Sequence, residues 1–200
     1  PNSNFSSSLW NQTMNSKTEL TASDILDLES YIKIRQERRV RILNKKKLRR
    51  VAVGPYATFY FECYDTMWYQ VQEMLRIEKG GEAQLKDELE AYNPLIPKGM
   101  ELVATVMFEI DNADIRTALL SGLGGVEEHI IMQLDDEYIV AKAEQDLDRT
   151  NADGKASSVQ FVHFNFTVPQ IKKFKEHTSI ITVGINHPKY GHMAVLNTET

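Results

Sequence analysis

The chain has 200 residues and a mass of 22.9 kDa, with 42% hydrophobic and 26% charged side chains; these proportions suit a soluble globular protein and exclude a collagen, a wholly disordered chain and a multi-span membrane protein. The formal net charge of −5 hides an asymmetry. The twenty residues from Tyr31 to Arg50 hold ten bases against the single acid Glu37, a local +9 that leaves −14 on the other 180.

Residues 1–20 are rich in Asn, Ser and Thr and have neither the basic start nor the continuous apolar run of a secretory signal. They read as a disordered tail before a single α+β domain over 21–196. Met14 is the expected natural start of translation, which makes residues 1–13 an upstream extension. The longest apolar runs, such as Leu102 to Phe108, are of strand length, far short of the roughly 20 residues of a membrane-spanning helix. One cysteine, Cys63, allows no internal disulfide and fits a reducing, cytoplasmic compartment.

Thr21-Ala-Ser23-Asp24 supplies capping side chains for a long helix over residues 24–47, in which Ile25, Leu28, Ile32, Val40 and Leu43 recur as one apolar stripe. On a helical wheel Arg38, Arg41 and Lys45 fall opposite that stripe, while Arg35, Arg39 and Lys46 flank it. With Arg49 and Arg50, the outward bases form a candidate docking surface, because crowded cations repel one another and gain from an external counter-charge. A solvated face whose terminal bases complement the helix dipole is the plainer alternative.

Val51 to Val53 and Ala57 to Cys63 read as strands around Gly54-Pro55, with Cys63 expected in the core beside Phe59 and Phe61. Asp65 is placed to cap a second helix to Glu78, burying Met67, Trp68, Val71, Met74 and Leu75 and leaving Tyr69, Glu73 and Arg76 on a polar line. A third helix follows over 82–92. The clean alternation from Met100 to Ile110 is the strongest strand in the chain. Asn112 caps a short helix ending at Gly122, and the following Gly122-Leu-Gly124-Gly125 lacks the Lys-Ser/Thr of a phosphate loop. A hairpin pairs 129–134 with 138–143. The polar run 144–156 is an exposed loop whose acids are out of register for an EF-hand. Strand 157–166, a short basic helix opened by Thr167-Val-Pro169 and a last strand over 179–185 complete the pattern. Beyond it, Asn186-His187-Pro188-Lys189-Tyr190-Gly191-His192 is the densest group of chemically capable side chains. His187 and His192, even with His163, match no metal-ligand spacing, so turn hydrogen bonding by His187 and Tyr190 is the default and no metal or cofactor is expected. The fold class is α+β, a mainly antiparallel sheet of about six strands with helices packed on one side.

The ordered segments Leu20-Thr-Ala-Ser-Asp24-Ile, Glu29-x-Tyr31, Arg49-Arg50-Val51-Ala-Val-Gly54-Pro55, Tyr69-Gln70-Val71-Gln72-Glu73-Met74-Leu75-Arg76, Glu88-Leu-Glu90-Ala-Tyr92-Asn93-Pro94 and Gly184-Ile-Asn-His187-Pro188-x-Tyr190 resemble the bacterial family called domain of unknown function 3501. The family has no established activity. By association with neighbouring genes for rubrerythrin-like diiron proteins and iron–sulfur oxidoreductases, the resemblance implies a place in redox or oxidative-stress metabolism.

Two functions are open at this point. One is a cytoplasmic accessory protein whose Arg38, Arg41, Lys45, Arg49 and Arg50 dock an acidic protein partner, a diiron or iron–sulfur protein by association. The alternative is an enzyme or small anionic-ligand binder whose cleft draws on Tyr69, Gln72, Glu73, Arg76, His187 and Tyr190, with Arg76 holding the anion and Glu73 or His187 moving a proton. Nucleic acid ranks last, since the −14 of the remaining chain repels phosphates.

Overall fold

The structure, a computed structural model, describes residues 17–144, 155–176 and 179–200. The expectations for residues 1–16 of the N-terminal tail and for residues 145–154 of the polar loop lie outside the described residues; residues 17–20 of the expected disordered tail are described, and Leu20 is buried with its N–H donating to Asn93 Oδ1 at 2.7 Å, so the tail does not extend to residue 20. Within the stretch read as one domain, the chain divides into two compact units: residues 1–46 with 62–99, and residues 47–61 with 100–200.

The first unit is helical. Its long helix α1 spans Leu28–Leu48, four residues later than expected at its start. Thr21 and Asp24 cap a separate 3-10 turn, Ala22–Asp24, and Asp27 caps α1 instead, its carboxylate accepting from Ser30 N at 3.0 Å. Helix α2, Tyr64–Glu78, starts from Cys63 at the N-cap, whose N–H donates to Thr66 Oγ1 at 3.0 Å. Cys63 is therefore half-buried at a helix start, not in the core beside Phe59 and Phe61. Lys79 in the left-handed conformation closes α2, and α3 follows over Gly81–Tyr92.

The face that α1 buries corrects the expected one. Tyr31 and Ile42 are buried, at 1% and 5% exposure, whereas Leu28, Ile32, Val40 and Leu43 are all exposed. Helix α1 runs antiparallel to α2, its residue numbers rising as those of α2 fall: Arg35 meets Glu73, Arg38 lies over Trp68 and Lys45 pairs with Asp65. Basic residues thus lie on the inner face. Aliphatic stems of Arg and Lys cover apolar surface as well as a hydrophobe does when the charged head finds an acid or an aromatic ring.

Among the described residues, the second unit holds nine strands and two α-helices, α4 (Ala113–Ser121) and α5 (Val168–Lys175). In place of one sheet of about six strands, there are two antiparallel sheets. Five strands run in the order β1-β2-β3-β7-β6 (Arg50–Val53, Ala57–Phe61, Glu101–Phe108, Val159–Asn165, Lys142–Ala143), and four in the order β5-β4-β8-β9 (Glu137–Val140, Ile130–Leu134, Ile181–His187, Tyr190–Val195). The chain crosses between sheets at Ala141, so the segment expected as one hairpin arm serves both: β5 pairs with β4 and β6 with β7. Phe59, Val106, Val162 and Phe164 from the first sheet share one core cluster with Met132, Ile139, Val183 and Ile185 from the second. The sequence predicts a loop where the last strand, β9, runs. His187 and Tyr190 are opposed in the β8–β9 register, so Pro188-Lys189 is the tight turn of a hairpin. Asn112 caps α4 as expected, accepting from Asp114 N and Ile115 N. No helix among the described residues is long and apolar enough to cross a membrane.

Candidate functional site

Four of the six expected cleft residues, Tyr69, Gln72, Glu73 and Arg76, lie on α2 in the helical unit, and the other two, His187 and Tyr190, lie on the β8–β9 hairpin in the sheet unit. Each group has its own surroundings.

On α2, Tyr69, Glu73 and Arg76 are spaced one turn apart and share a face. Opposite them on α1 stand Tyr31 and Arg35, two residues that the helical wheel alone did not bring to this site. Arg35 grips Glu73 through two parallel hydrogen bonds, Nε to Oε1 at 2.8 Å and Nη2 to Oε2 at 2.9 Å, the paired geometry that makes Arg–carboxylate contacts strong. The Tyr31 hydroxyl donates to Oε1 at 2.6 Å and Arg76 Nη2 to Oε2 at 3.2 Å. Arg35, then the Tyr31 and Arg76 donors, hold the Glu73 carboxyl at a pKa of about 2, against the opposing effect of burial. A carboxylate so held is a poor proton acceptor near neutral pH, and its contacts with Arg35, Tyr31 and Arg76 are those of a charge that holds its neighbours in place. Burial, reinforced by the Glu73 charge, raises the Tyr31 phenol. Gln72 is buried, its amide directed at the Leu26 carbonyl at 3.5 Å, so it fastens the start of α1.

The bases read as a docking surface are divided. Arg38 lies 5.6 Å from the Trp68 ring centroid, with Trp68 Nε1 donating to the Asp24 carbonyl at 2.8 Å and Tyr31 meeting its ring edge-on at 5.9 Å; burial lowers the Arg38 guanidinium pKa. Lys45 pairs with Asp65, and Arg41 is half-buried beside Arg38. Arg49 is half-buried and its carbonyl accepts from Phe61 N at 2.9 Å. Arg50 opposes Tyr60 across β1 and β2. Arg38, Arg41 and Lys45 therefore do not form the outward face expected of them.

In the hairpin, His187 is buried, takes a hydrogen bond from Lys189 N at Nδ1 (3.2 Å), bonds to the backbone of Gly124 and meets the His129 ring edge-on at 5.0 Å. Burial, with His129 nearby, pushes its pKa below the ordinary value. The Tyr190 hydroxyl accepts from Tyr56 N at 3.0 Å and Ala57 N at 2.9 Å and donates to the Val53 carbonyl at 2.7 Å, clasping the β1–β2 turn. His192 lies against Tyr190, ring centroids 4.6 Å apart. His163 sits elsewhere, between Glu101 at Nδ1 and Glu144 at Nε2, each 2.9 Å away. One carboxylate on either side of the ring does not converge on a common point, and among the described residues no group of three His, Cys, Asp or Glu is arranged to hold a metal ion.

A family model for a protein of unknown function, DUF3501, matches residues 19–200. The chain belongs to the DUF3501 family. A solved relative is the crystal structure of a novel protein of unknown function from Burkholderia pseudomallei K96243, 36% identical, covering 90% of this chain and 94% of that one with a TM-score of 0.83. No curated protein matches. Two segments whose resemblance pointed to the family carry the contacts just described: Tyr69 to Arg76 holds the Glu73 cluster, and Gly184 to Tyr190 holds the hairpin clasp.

Proposed function

We propose that this family member is an accessory binding protein that docks an acidic protein partner through the outward face of α1. The observation that carries this reading is the exposure of Val40 and Leu43, each 51% open, on the same helix half as the bases Lys46 and Lys47, with no acid after Glu37. Apolar side chains left open at regular helical spacing mark contact surfaces, and flanking bases favour a partner that presents acids around its own apolar patch. The contact residues are thus shifted from those read off the sequence: Val40, Leu43, Lys46 and Lys47 in place of Arg38, Arg41 and Lys45. Within the setting that the family resemblance implies, the partner is a protein of bacterial redox metabolism in the cytoplasm.

The test compares wild-type protein with a Val40→Glu/Leu43→Glu variant in recovery of bound partner from native extract at low and high salt. Loss of an acidic, salt-sensitive partner in the variant, with thermal stability unchanged, supports docking on this face; undiminished recovery overturns it. A second reading, binding of a small anion, is favoured by the excess of cations around Glu73.

A further inference from the structure

The charges around Glu73 do not balance. Arg35 and Arg76 bring two guanidinium groups to one carboxylate and Tyr31 is a neutral donor to it, while Arg39 adds a third positive charge beside the neighbouring Tyr69 phenol. Arg39 stands one turn beyond Arg35 on α1, and Tyr69 one turn before Glu73 on α2; the antiparallel register that seats Arg35 on Glu73 brings Arg39 toward Tyr69. The Tyr69 phenol feels Glu73, Arg35, Arg39 and Arg76 together, although burial is the main cause of its raised pKa. Three polar groups at this spot lack a partner among the described residues: the half-buried Tyr69 hydroxyl, the Arg39 guanidinium and the Nε of Arg76, which is shielded from solvent without a hydrogen bond. A shielded guanidinium nitrogen left unbonded is costly unless something accepts from it.

We propose that Arg39, Tyr69 and Arg76 form a binding site for the dianionic phosphate group of a small phosphorylated ligand, with Glu73 and Arg35 fixing the geometry. The net charge of the site, two positive, matches a phosphate monoester near −2 better than a single carboxylate. Guanidinium forks and a phenolic donor suit its several acceptor oxygens. Glu73 is already saturated by Arg35, Tyr31 and Arg76, so it orients the cations without neutralising them all. This site stands independently of docking on the α1 face, because it uses neither Val40 nor Leu43.

The experiment titrates inorganic phosphate into the full chain at pH 7.5, at ionic strength held constant with chloride, and follows the backbone and arginine side-chain NMR signals. Saturable shifts centred on Arg39, Tyr69 and Arg76 are expected, weakened about tenfold by Arg39→Gln and severalfold by Tyr69→Phe. Arg39 is exposed and holds no internal ion pair, so Arg39→Gln keeps the fold, which its own spectrum verifies. Phosphate shifts no larger than those from chloride, or unchanged in Arg39→Gln, overturn the site. Equal or tighter binding of succinate overturns the phosphate assignment.

Discussion

Arg35 and Glu73 meet across the two longest helices of the helical unit through paired hydrogen bonds of 2.8 and 2.9 Å. This contact fixes which face of α1 looks inward, and it decides which of the ten bases between Tyr31 and Arg50 reach solvent.

Removing the Glu73 charge should therefore destabilise the protein through its partners. Glu73→Gln leaves two guanidiniums facing a neutral amide, and a loss of about 2 kcal/mol is expected in urea unfolding at pH 7. Glu73→Ala should cost at least as much, because it also removes the acceptor for the Tyr31 hydroxyl.

The same group predicts an acid limb. The folded-state pKa of Glu73 is about 2 against an ordinary 4.5, so the unfolded state binds the proton more readily. The contribution of Glu73 is fully present above about pH 4.5 and is lost as pH falls toward 2. Urea unfolding from pH 6 to pH 2.5 should show a decline that is shallower in Glu73→Gln.

His187 acts in the same direction at higher pH. Its pKa lies below the ordinary 6.5 because it is buried beside His129, so the unfolded chain takes up this proton first. Stability from this group is intact above pH 6.5 and drains away as pH falls through the folded-state value. NMR titration should place the His187 midpoint below that of an exposed histidine; a midpoint at or above 6.5 would contradict the buried, neutral ring.

The orientation of α1 separates residues only two positions apart. Ile42→Ala should cost about 3 kcal/mol, as for a buried aliphatic side chain, whereas Val40→Ala and Leu43→Ala should each change stability by less than about 0.5 kcal/mol. Equal costs at all three would mean that the helix is seated on its other face.

Tyr190→Phe removes one hydroxyl that serves three backbone groups at the β1–β2 turn, and about 2 kcal/mol is expected because two N–H donors and a carbonyl lose their partner. Gly54→Ala should be of similar size: the residue has φ +70° and an added Cβ would lie 2.5 Å from the His192 ring. Thermal melts of both variants provide the check.

Most elements were legible in the sequence because they are set locally. The alternation from Met100 to Ile110 predicted β3, Asn112 predicted the cap of α4, and Thr167-Val-Pro169 predicted the start of α5. The loop expected after the last strand became β9 because nothing local distinguishes a tight Pro188-Lys189 turn from a longer excursion; partner strand β8 supplies the ladder. Of the candidate site, the line Tyr69, Glu73, Arg76 was visible as helical spacing. Its partners Tyr31 and Arg35 were not, since their contact depends on how two helices seat against each other.

The sequence by itself determined the charge division, +9 over twenty residues and −14 over the rest, together with the α+β class and the family, because composition, periodicity and ordered motifs are properties of the chain. What that charge does was decided only by tertiary structure. The wheel assigned the aliphatic stripe Leu28, Ile32, Val40 and Leu43 to the interior, yet α1 turns Arg35, Arg38 and Lys45 inward, where Glu73, Trp68 and Asp65 receive them. Local hydrophobicity cannot register a carboxylate or an indole that arrives from 20 to 38 residues away, and it is those partners that turn the basic face inward.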